Sequence, residues 1–81
     1  DRKKEMPKGS YTAELLKAGP AKAAQKVVEE AGESAIAAVQ GDEKQVAREV
    51  ADLFYHALVL LAASGSSPEA VWEELRSRRK G

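Results

Sequence analysis

Apolar residues recur along this chain with the period of an α-helix. In residues 20–40 and again in residues 42–64, they fall every three to four positions, which places them on one face of each helix. The predicted faces are Ala24, Val27, Val28, Ala31, Ala35 and Ala38 in the first segment, and Val46, Val50, Leu53, Phe54, Ala57, Leu58 and Leu61 in the second. No segment alternates between apolar and polar residues, so the sequence predicts no β-strand.

The N-terminal half of the chain carries the start and stop signals of two helices. Ser10 is a preferred N-cap residue and predicts a first helix over residues 11–18. Gly19 favours the left-handed conformation that ends a helix, and Pro20 is favoured at a helix start. The sequence therefore predicts a second helix over residues 20–40.

The rest of the chain carries the signals of two more helices. Asp42 follows Gly41 and caps a third predicted helix, with Gln45 as its capping-box partner. That helix continues to about residue 64. Residues 67–69 predict the start of a fourth helix, because they provide a cap, a proline at the first helical position and an acid in the first turn.

The predicted helices indicate the fold class. The second and third are joined by about two residues, so they should pack as an antiparallel hairpin. An alanine-rich chain of 81 residues without cysteine provides only a thin core. We therefore predict a single all-α domain over residues 1–81, in which short helices flank the hairpin and homodimerisation completes a helical bundle. Residues 1–9 are predicted to be the remnant of a truncated N-terminal helix or a tail.

Composition narrows the classes of function. The net charge is zero, which argues against general nucleic-acid binding. The longest apolar run, residues 57–63, is far shorter than the ~20 residues that span a membrane. The absence of cysteine fits a reducing compartment and no signal peptide is visible, so we expect a cytoplasmic protein.

Acidic residues concentrate in the central part of the chain. Glu30 and Glu33 are three residues apart on the second helix, and Glu49 and Asp52 are three apart on the third, so each pair shares one face. The hairpin allows the two pairs to face each other. Two carboxylates about 5 Å apart repel by roughly 3 kcal/mol at an effective dielectric of about 20, whereas a divalent cation such as Mg²⁺ between them reverses the sign.

A solvated acidic surface is the alternative interpretation of these residues. On the second helix the acids, which include Glu29, lie nearly opposite the predicted apolar face, as solvent-exposed residues do. On the third helix Glu49, Asp52 and His56 form a stripe along the border of the apolar face. The residue pattern alone therefore leaves both a metal site and a solvated face open.

Short motifs along the chain can be compared with known families. They are Ser10-Tyr11-Thr12-Ala13, Leu15-Leu16, Gly19, Lys26-Val27, Glu29-Glu30-Ala31-x-Glu33 and Glu49-x-Ala51-Asp52-Leu53-x-Tyr55-His56. Over about residues 2–75 they resemble the phosphoribosyl-ATP pyrophosphatase family, which performs the second step of histidine biosynthesis. Pyrophosphatases of the MazG and dimeric dUTPase kinds share only the two acidic pairs. The chain departs from the family pattern at Val28, where members usually have glycine, and at Gly32.

The resemblance implies a dimeric helical hairpin that hydrolyses phosphoribosyl-ATP to phosphoribosyl-AMP and pyrophosphate with Mg²⁺. It implies Glu30, Glu33, Glu49 and Asp52 as metal ligands, with Glu29 as a fifth ligand or as the base for the attacking water. The catalytic candidates are therefore Glu29, Glu30 and Glu33. Further candidates are Lys26, Arg48 and His56 for contact with a phosphate or a ligand carboxylate, and Ser10, Tyr11 and Thr12 for contact with the substrate.

Two other functions fit the same residues. A housecleaning pyrophosphatase for dNTPs or modified nucleotides would use the same metal site with a different base pocket. A non-catalytic helical dimerisation module would carry its acids only as a solvated face. In the favoured interpretation the partners are a small-molecule nucleotide and a second copy of the chain, with neither nucleic acid nor membrane involved.

Overall fold

The computed structural model describes residues 10–80, which form four α-helices without a β-strand. The helices are α1 (Tyr11–Ala18), α2 (Pro20–Val39), α3 (Glu43–Ala63) and α4 (Pro68–Lys80). These bounds confirm the predicted all-α class and the predicted helix ends to within one residue. The prediction for residues 1–9 lies outside the described residues. Across the described part of the chain, no helix is both long and apolar enough to cross a membrane.

Side-chain caps begin three of the helices at the predicted positions. Each cap accepts a hydrogen bond from a backbone N–H three residues later, which satisfies a donor that has no partner within its helix. The bonds are Ala13 N to Ser10 Oγ at 3.0 Å, Gln45 N to Asp42 Oδ1 at 3.1 Å and Ala70 N to Ser67 Oγ at 3.2 Å. Short sequence signals therefore fix where these helices begin.

The predicted capping box at the start of α3 is only half formed. The side-chain amide of Gln45 does not return to Asp42 but donates to Glu49 Oε2, one turn further along, at 2.6 Å. The N–H of Asp42 donates instead to the carbonyl oxygen of Ala37 at 3.1 Å. The prediction of a capping-box partner was wrong because the turn after α2 already supplies an acceptor for that N–H.

Removal of the Asp42 cap should destabilise α3 and, with it, the hairpin. We expect Asp42→Ala to lower the free energy of unfolding by about 1 kcal/mol, because the N–H of Gln45 loses its acceptor. Asp42→Asn keeps an acceptor at this position and should cost much less. Urea unfolding followed by far-UV circular dichroism measures both variants, and equal losses would contradict the capping role.

Helices α2 and α3 pack together as the predicted antiparallel hairpin. The cross-helix pairs show the direction, because Glu33 lies against Glu49, whereas the earlier Glu30 lies against the later His56. Helix α1 packs against both helices. The core at their meeting point consists of Leu15, Ala23 and Val59, with Leu60 packed against it. The hairpin thus places the carboxylates of α2 opposite α3.

The buried face of α2 differs from the predicted one. The buried residues are Ala23, Glu30 and Ala37, whereas Val28 of the predicted face is 72% exposed. The helix is therefore rotated by about one residue, or roughly 100°, from the prediction. This rotation places small alanines against α3 and brings Glu30 into contact with His56. The residue pattern of a single helix predicts neither contact, because both depend on the neighbouring helix. The alternative interpretation, in which the acids of α2 form only a solvated face, does not hold for Glu30, which is 8% exposed.

An apolar groove remains open on the outer side of α3. Phe54 and Leu58, which the sequence placed on the face toward α2, are exposed, Phe54 by 65%. Residues 69–79 of α4 are also exposed. The groove between the two helices, called here the α3–α4 groove, is lined by Phe54, Ala57, Leu58, Leu61, Pro68, Val71 and Trp72. A single chain therefore leaves a large apolar surface in contact with water.

Candidate active site

Two glutamates from facing helices meet across the hairpin. Glu33 of α2 and Glu49 of α3 lie close enough for one carboxyl to hydrogen-bond the other. This hydrogen bond, and then the negative charge of Glu49, raise the pKa of Glu33, with smaller effects from burial, Glu30 and Glu29. Both glutamates line an open cleft at this end of the hairpin. Such a cluster of carboxylates favours a bound proton or cation.

Glu30 is the next carboxylate along α2, and it is buried against His56. Its Oε1 atom lies 2.6 Å from Nδ1 of His56, and neither side chain is more than 10% exposed. The same ring nitrogen lies 2.9 Å from the carbonyl oxygen of Asp52, so its one N–H is shared between two acceptors and leaves the buried Glu30 Oε1 incompletely satisfied among the described residues. A buried carboxylate oxygen with only a shared donor is costly, and a bound cation would offset that cost.

The donors in this region suit an oxygen-ligated divalent cation. Within residues 10–80, no three Asp, Glu or His side chains already lie close enough together to hold a metal ion. Glu33 is exposed and Glu49 is half-buried, so their carboxylates have room to rotate toward a shared ion. The close approach of these two acids and the incompletely satisfied Glu30 oxygen both favour a bound proton or cation here. The set therefore fits Mg²⁺, which prefers carboxylates, water and phosphates.

Two of the predicted site residues lie apart from this carboxylate group. The backbone carbonyl of Asp52 contacts His56, but its exposed carboxylate makes no hydrogen bond or ion pair with any residue in the described range 10–80. The same holds for the exposed guanidinium of Arg48. The fold thus places Glu33 against Glu49 and Glu30 against His56, and it leaves these two side chains facing water.

Glu29 and Lys26 form an exposed pair beside the buried Glu30. Glu29 accepts a hydrogen bond from the amide of Gln25 at 3.1 Å, and its other oxygen lies 3.4 Å from Nζ of Lys26. The Gln25 hydrogen bond, together with the contact with Lys26, lowers the pKa of Glu29. Its carboxylate is therefore ionised at neutral pH and next to a cationic side chain.

The hydroxyl groups of the predicted substrate segment all have partners within the chain. Ser10 caps α1, and the hydroxyl of Tyr11 lies 2.7 Å from Nε2 of His56. The hydroxyl of Thr12 is hydrogen-bonded to that of Tyr55. The segment therefore joins α1 to α3 in this structure.

Sequence reasoning did not single out Gln45 or Tyr55 as residues that shape the site. Gln45 lies four residues before Glu49 and donates to it, a spacing that marks neighbours on a helix and could have revealed the contact. Tyr55 contacts Thr12, 43 positions earlier in the chain. No local signal predicts that contact, because it depends on how α1 crosses α3.

The raised pKa of Glu33 predicts that the stability of the metal-free protein depends on pH. A carboxyl with a raised folded-state pKa stabilises the fold below its ordinary pKa of 4.5, and this contribution is lost as the pH rises through the raised value. We expect the free energy of unfolding to fall over that range and expect Glu33→Gln, which stays neutral, to remove this fall. Urea unfolding at several pH values in a chelator measures it, and superimposable pH profiles would contradict the prediction.

Comparisons with known proteins agree over nearly the whole chain. A family model described as phosphoribosyl-ATP pyrophosphohydrolase matches residues 1–79. The phosphoribosyl-ATP pyrophosphatase of Azospirillum brasilense is 54% identical over 77 residues, which cover 95% of the chain and 69% of that protein. The protein of the same name from Methylobacterium radiotolerans is 57% identical over 72 residues, covering 89% and 67%. That from Saccharolobus islandicus is 45% identical over 80 residues, covering 99% and 85%.

Proposed function

Because the chain belongs to the phosphoribosyl-ATP pyrophosphohydrolase family, we propose that it cleaves phosphoribosyl-ATP between α2 and α3 with Mg²⁺ as its cofactor. The reaction gives phosphoribosyl-AMP and pyrophosphate, and it makes the chain a hydrolase of histidine biosynthesis. The proposed ligands are Glu30, Glu33, Glu49 and Asp52. A cytoplasmic location belongs to the same proposal.

The buried oxygen of Glu30 is the observation that most supports this proposal. Among residues 10–80 the buried Glu30 Oε1 has only the shared N–H of His56 as a donor, and Glu30 is one of the charges that raise the pKa of nearby Glu33. Acids that serve only to solvate a helix face have no reason to be buried in this way, because desolvation of a charge costs several kcal/mol. A divalent cation bound between α2 and α3 would offset both the burial and the repulsion.

The residues of the chain would act on the substrate in different ways. Bound in this cleft, Mg²⁺ would neutralise charge on the phosphates of the nucleotide. Glu29 lies exposed beside Glu30 and accepts the proton of the water that attacks the α-phosphorus, while the bond from that phosphorus to the leaving pyrophosphate breaks. The ammonium group of Lys26 lies next to Glu29 and attracts the phosphates into the cleft.

A pyrophosphate-release assay with a substrate panel tests the reaction. We expect turnover of phosphoribosyl-ATP in Mg²⁺. For ATP, dATP and the other dNTPs we expect a kcat/KM at least about a hundredfold lower, because these nucleotides lack the additional phosphoribosyl group. Excess chelator should abolish turnover. Comparable rates with the dNTPs would favour the housecleaning alternative, and turnover that survives the chelator would remove Mg²⁺ from the proposal.

Magnesium should also stabilise the folded chain in the absence of substrate. A ligand at 100 times its Kd stabilises the state that binds it by about 2.7 kcal/mol, which raises the Tm of a domain this small by roughly 10 °C or more. The control is potassium chloride at the same ionic strength, and Glu49→Gln should reduce the shift. A non-catalytic dimerisation module would respond equally to the two salts.

We also propose that a second copy of the chain covers the α3–α4 groove. Helix α4 has 13 residues and packs little against the other helices, and isolated helices of this length are marginal in water. Soluble monomers rarely expose an apolar patch of this kind. Because the groove carries few charges, two copies related by a twofold axis can place the same apolar surface against itself.

A further inference from the structure

Three aromatic rings from two helices meet beside the buried Glu30. Tyr11 of α1 stands edge-on to His56 of α3, with ring centroids 5.5 Å apart and an angle of 85° between the planes. Tyr55 stacks on Tyr11 at 6.1 Å and contacts His56 edge-on at 4.9 Å. The hydroxyl of Tyr11 lies 2.7 Å from Nε2 of His56, whose Nδ1 lies 2.6 Å from Glu30 Oε1. Polar contacts therefore run from α1 through α3 to the buried carboxylate of α2.

The surroundings of His56 select one tautomer of its ring. Nδ1 faces two acceptors, the carbonyl oxygen of Asp52 at 2.9 Å and Glu30 Oε1 at 2.6 Å. A lone pair on Nδ1 would repel both oxygens, so the proton belongs on that nitrogen. In this tautomer the lone pair lies on Nε2 and accepts a hydrogen bond from the hydroxyl of Tyr11.

The Tyr11 hydroxyl is suited to remain that donor. Partial burial raises the pKa of Tyr11, although the charge of Lys26 opposes the shift, so the hydroxyl keeps its proton at neutral pH. The second tyrosine of the cluster, Tyr55, is not equivalent, because its hydroxyl is bonded to Thr12. The two tyrosines therefore differ in their hydrogen-bond partners, which are His56 for Tyr11 and Thr12 for Tyr55.

From this geometry we propose that Tyr11 is a positioning residue, which fixes His56 as a donor at Nδ1 and through it orients the Glu30 carboxylate for the cation. The inference rests on the proposed function for the role of Glu30 as a ligand. It assigns to α1 the task of holding a ligand carboxylate in place. Partners of this kind typically matter for metal affinity because they restrict the orientation of the ligand.

The first test observes the tautomer directly in the metal-free protein. The chain has one histidine, so ¹⁵N correlation spectra of its ring report on His56 alone. We expect a protonated Nδ1 and an unprotonated Nε2 in the wild type, and a displaced Nε2 resonance in Tyr11→Phe, because that nitrogen loses the hydrogen bond that holds the ring. Tyr55→Phe is the matched control, since it removes a hydroxyl from the same cluster without removing the donor to Nε2. A proton on Nε2 in the wild type, or an unchanged ring in Tyr11→Phe, would overturn the proposal.

The second test measures Mg²⁺ affinity by titration calorimetry without substrate. Tyr11→Phe should weaken binding about fivefold and His56→Ala at least about tenfold, with Tyr55→Phe unchanged. His56→Asn can present an amide donor near the position of Nδ1, so its Mg²⁺ affinity should be close to that of the wild type. Adding Tyr11→Phe to His56→Asn should then not change the affinity further. Circular dichroism checks that each variant is folded.

The outcomes of the two tests separate the inference from the function on which it rests. If the wild type binds Mg²⁺ and folded Tyr11→Phe binds it with the same affinity, Tyr11 is not a positioning residue. The proposed function would then still stand. A wild-type chain with the expected tautomer and no Mg²⁺ binding would remove the metal site, and the positioning role would fall with it.

Discussion

Glu30→Gln is expected to lower the rate of pyrophosphate release by at least about a hundredfold while the helices remain intact. The substitution keeps the shape of the side chain but removes the charge that a divalent cation requires, and metal ions supply several kcal/mol of transition-state stabilisation. Each 1.36 kcal/mol corresponds to tenfold in rate. Because the glutamine oxygen can still face His56 Nδ1, and because a buried charge disappears, the metal-free variant should be at least as stable as the wild type.

The control for this experiment is Glu14→Gln. Glu14 is an exposed glutamate of α1 whose side chain makes no hydrogen bond or ion pair with the rest of the described chain, so its loss should leave the rate unchanged. Kinetics with phosphoribosyl-ATP at saturating Mg²⁺ and urea unfolding of the same samples separate lost chemistry from lost folding. A wild-type rate in Glu30→Gln would mean that the carboxylate at this position holds no metal.

Asp52→Asn tests the proposed ligand that the fold leaves apart from the others. As a ligand, Asp52 should be as necessary for turnover as Glu30, although its carboxylate faces water in this structure. We expect Asp52→Asn also to lower the rate by at least about a hundredfold, because a carboxylate without another partner among residues 10–80 is free to bind the cation. A full rate in this variant, measured in the same assay, would reduce the proposed set of ligands to Glu30, Glu33 and Glu49.

Leu58→Glu is expected to convert the proposed dimer into a monomer. Leu58 lies in the α3–α4 groove, and a twofold interface would bury the new charge twice, once from each copy. An unpaired buried charge costs several kcal/mol, so the dimer dissociation constant should rise by at least about a hundredfold. Sedimentation velocity at micromolar concentration measures the change. Trp72, the single tryptophan, lines the same groove, and its emission should shift toward longer wavelength on dissociation.

Val39→Glu provides the matched control for the groove. Val39 is 88% exposed at the end of α2 and does not line the groove, so the same kind of substitution there should leave the assembly unchanged. A wild-type chain that sediments as a monomer would contradict the dimer. Dissociation by Val39→Glu and not by Leu58→Glu would move the interface to another surface.

The candidate site shows how far helix periodicity can place functional residues. The spacing of Glu30, Glu33 and Glu49 and the short turn between the helices were sufficient to predict that acids of α2 approach α3. The same spacing placed Asp52 beside them, but the structure leaves its carboxylate exposed. The contact between Tyr11 and His56 joins residues 45 positions apart, and nothing in either local sequence indicates it.

The sequence by itself determined where each helix begins and ends, because caps, glycines and prolines act within a few residues and need no distant partner. Only the tertiary structure decided which face of α2 turns inward, and it buried Glu30 while Val28 remained exposed. A helical repeat fixes the angles between residues on one helix but not the rotation of that helix against its neighbour. In an alanine-rich helix several rotations are similar in apolar burial, so the cross-helix contacts of Glu30, His56 and Tyr11 appear only when all three helices are packed.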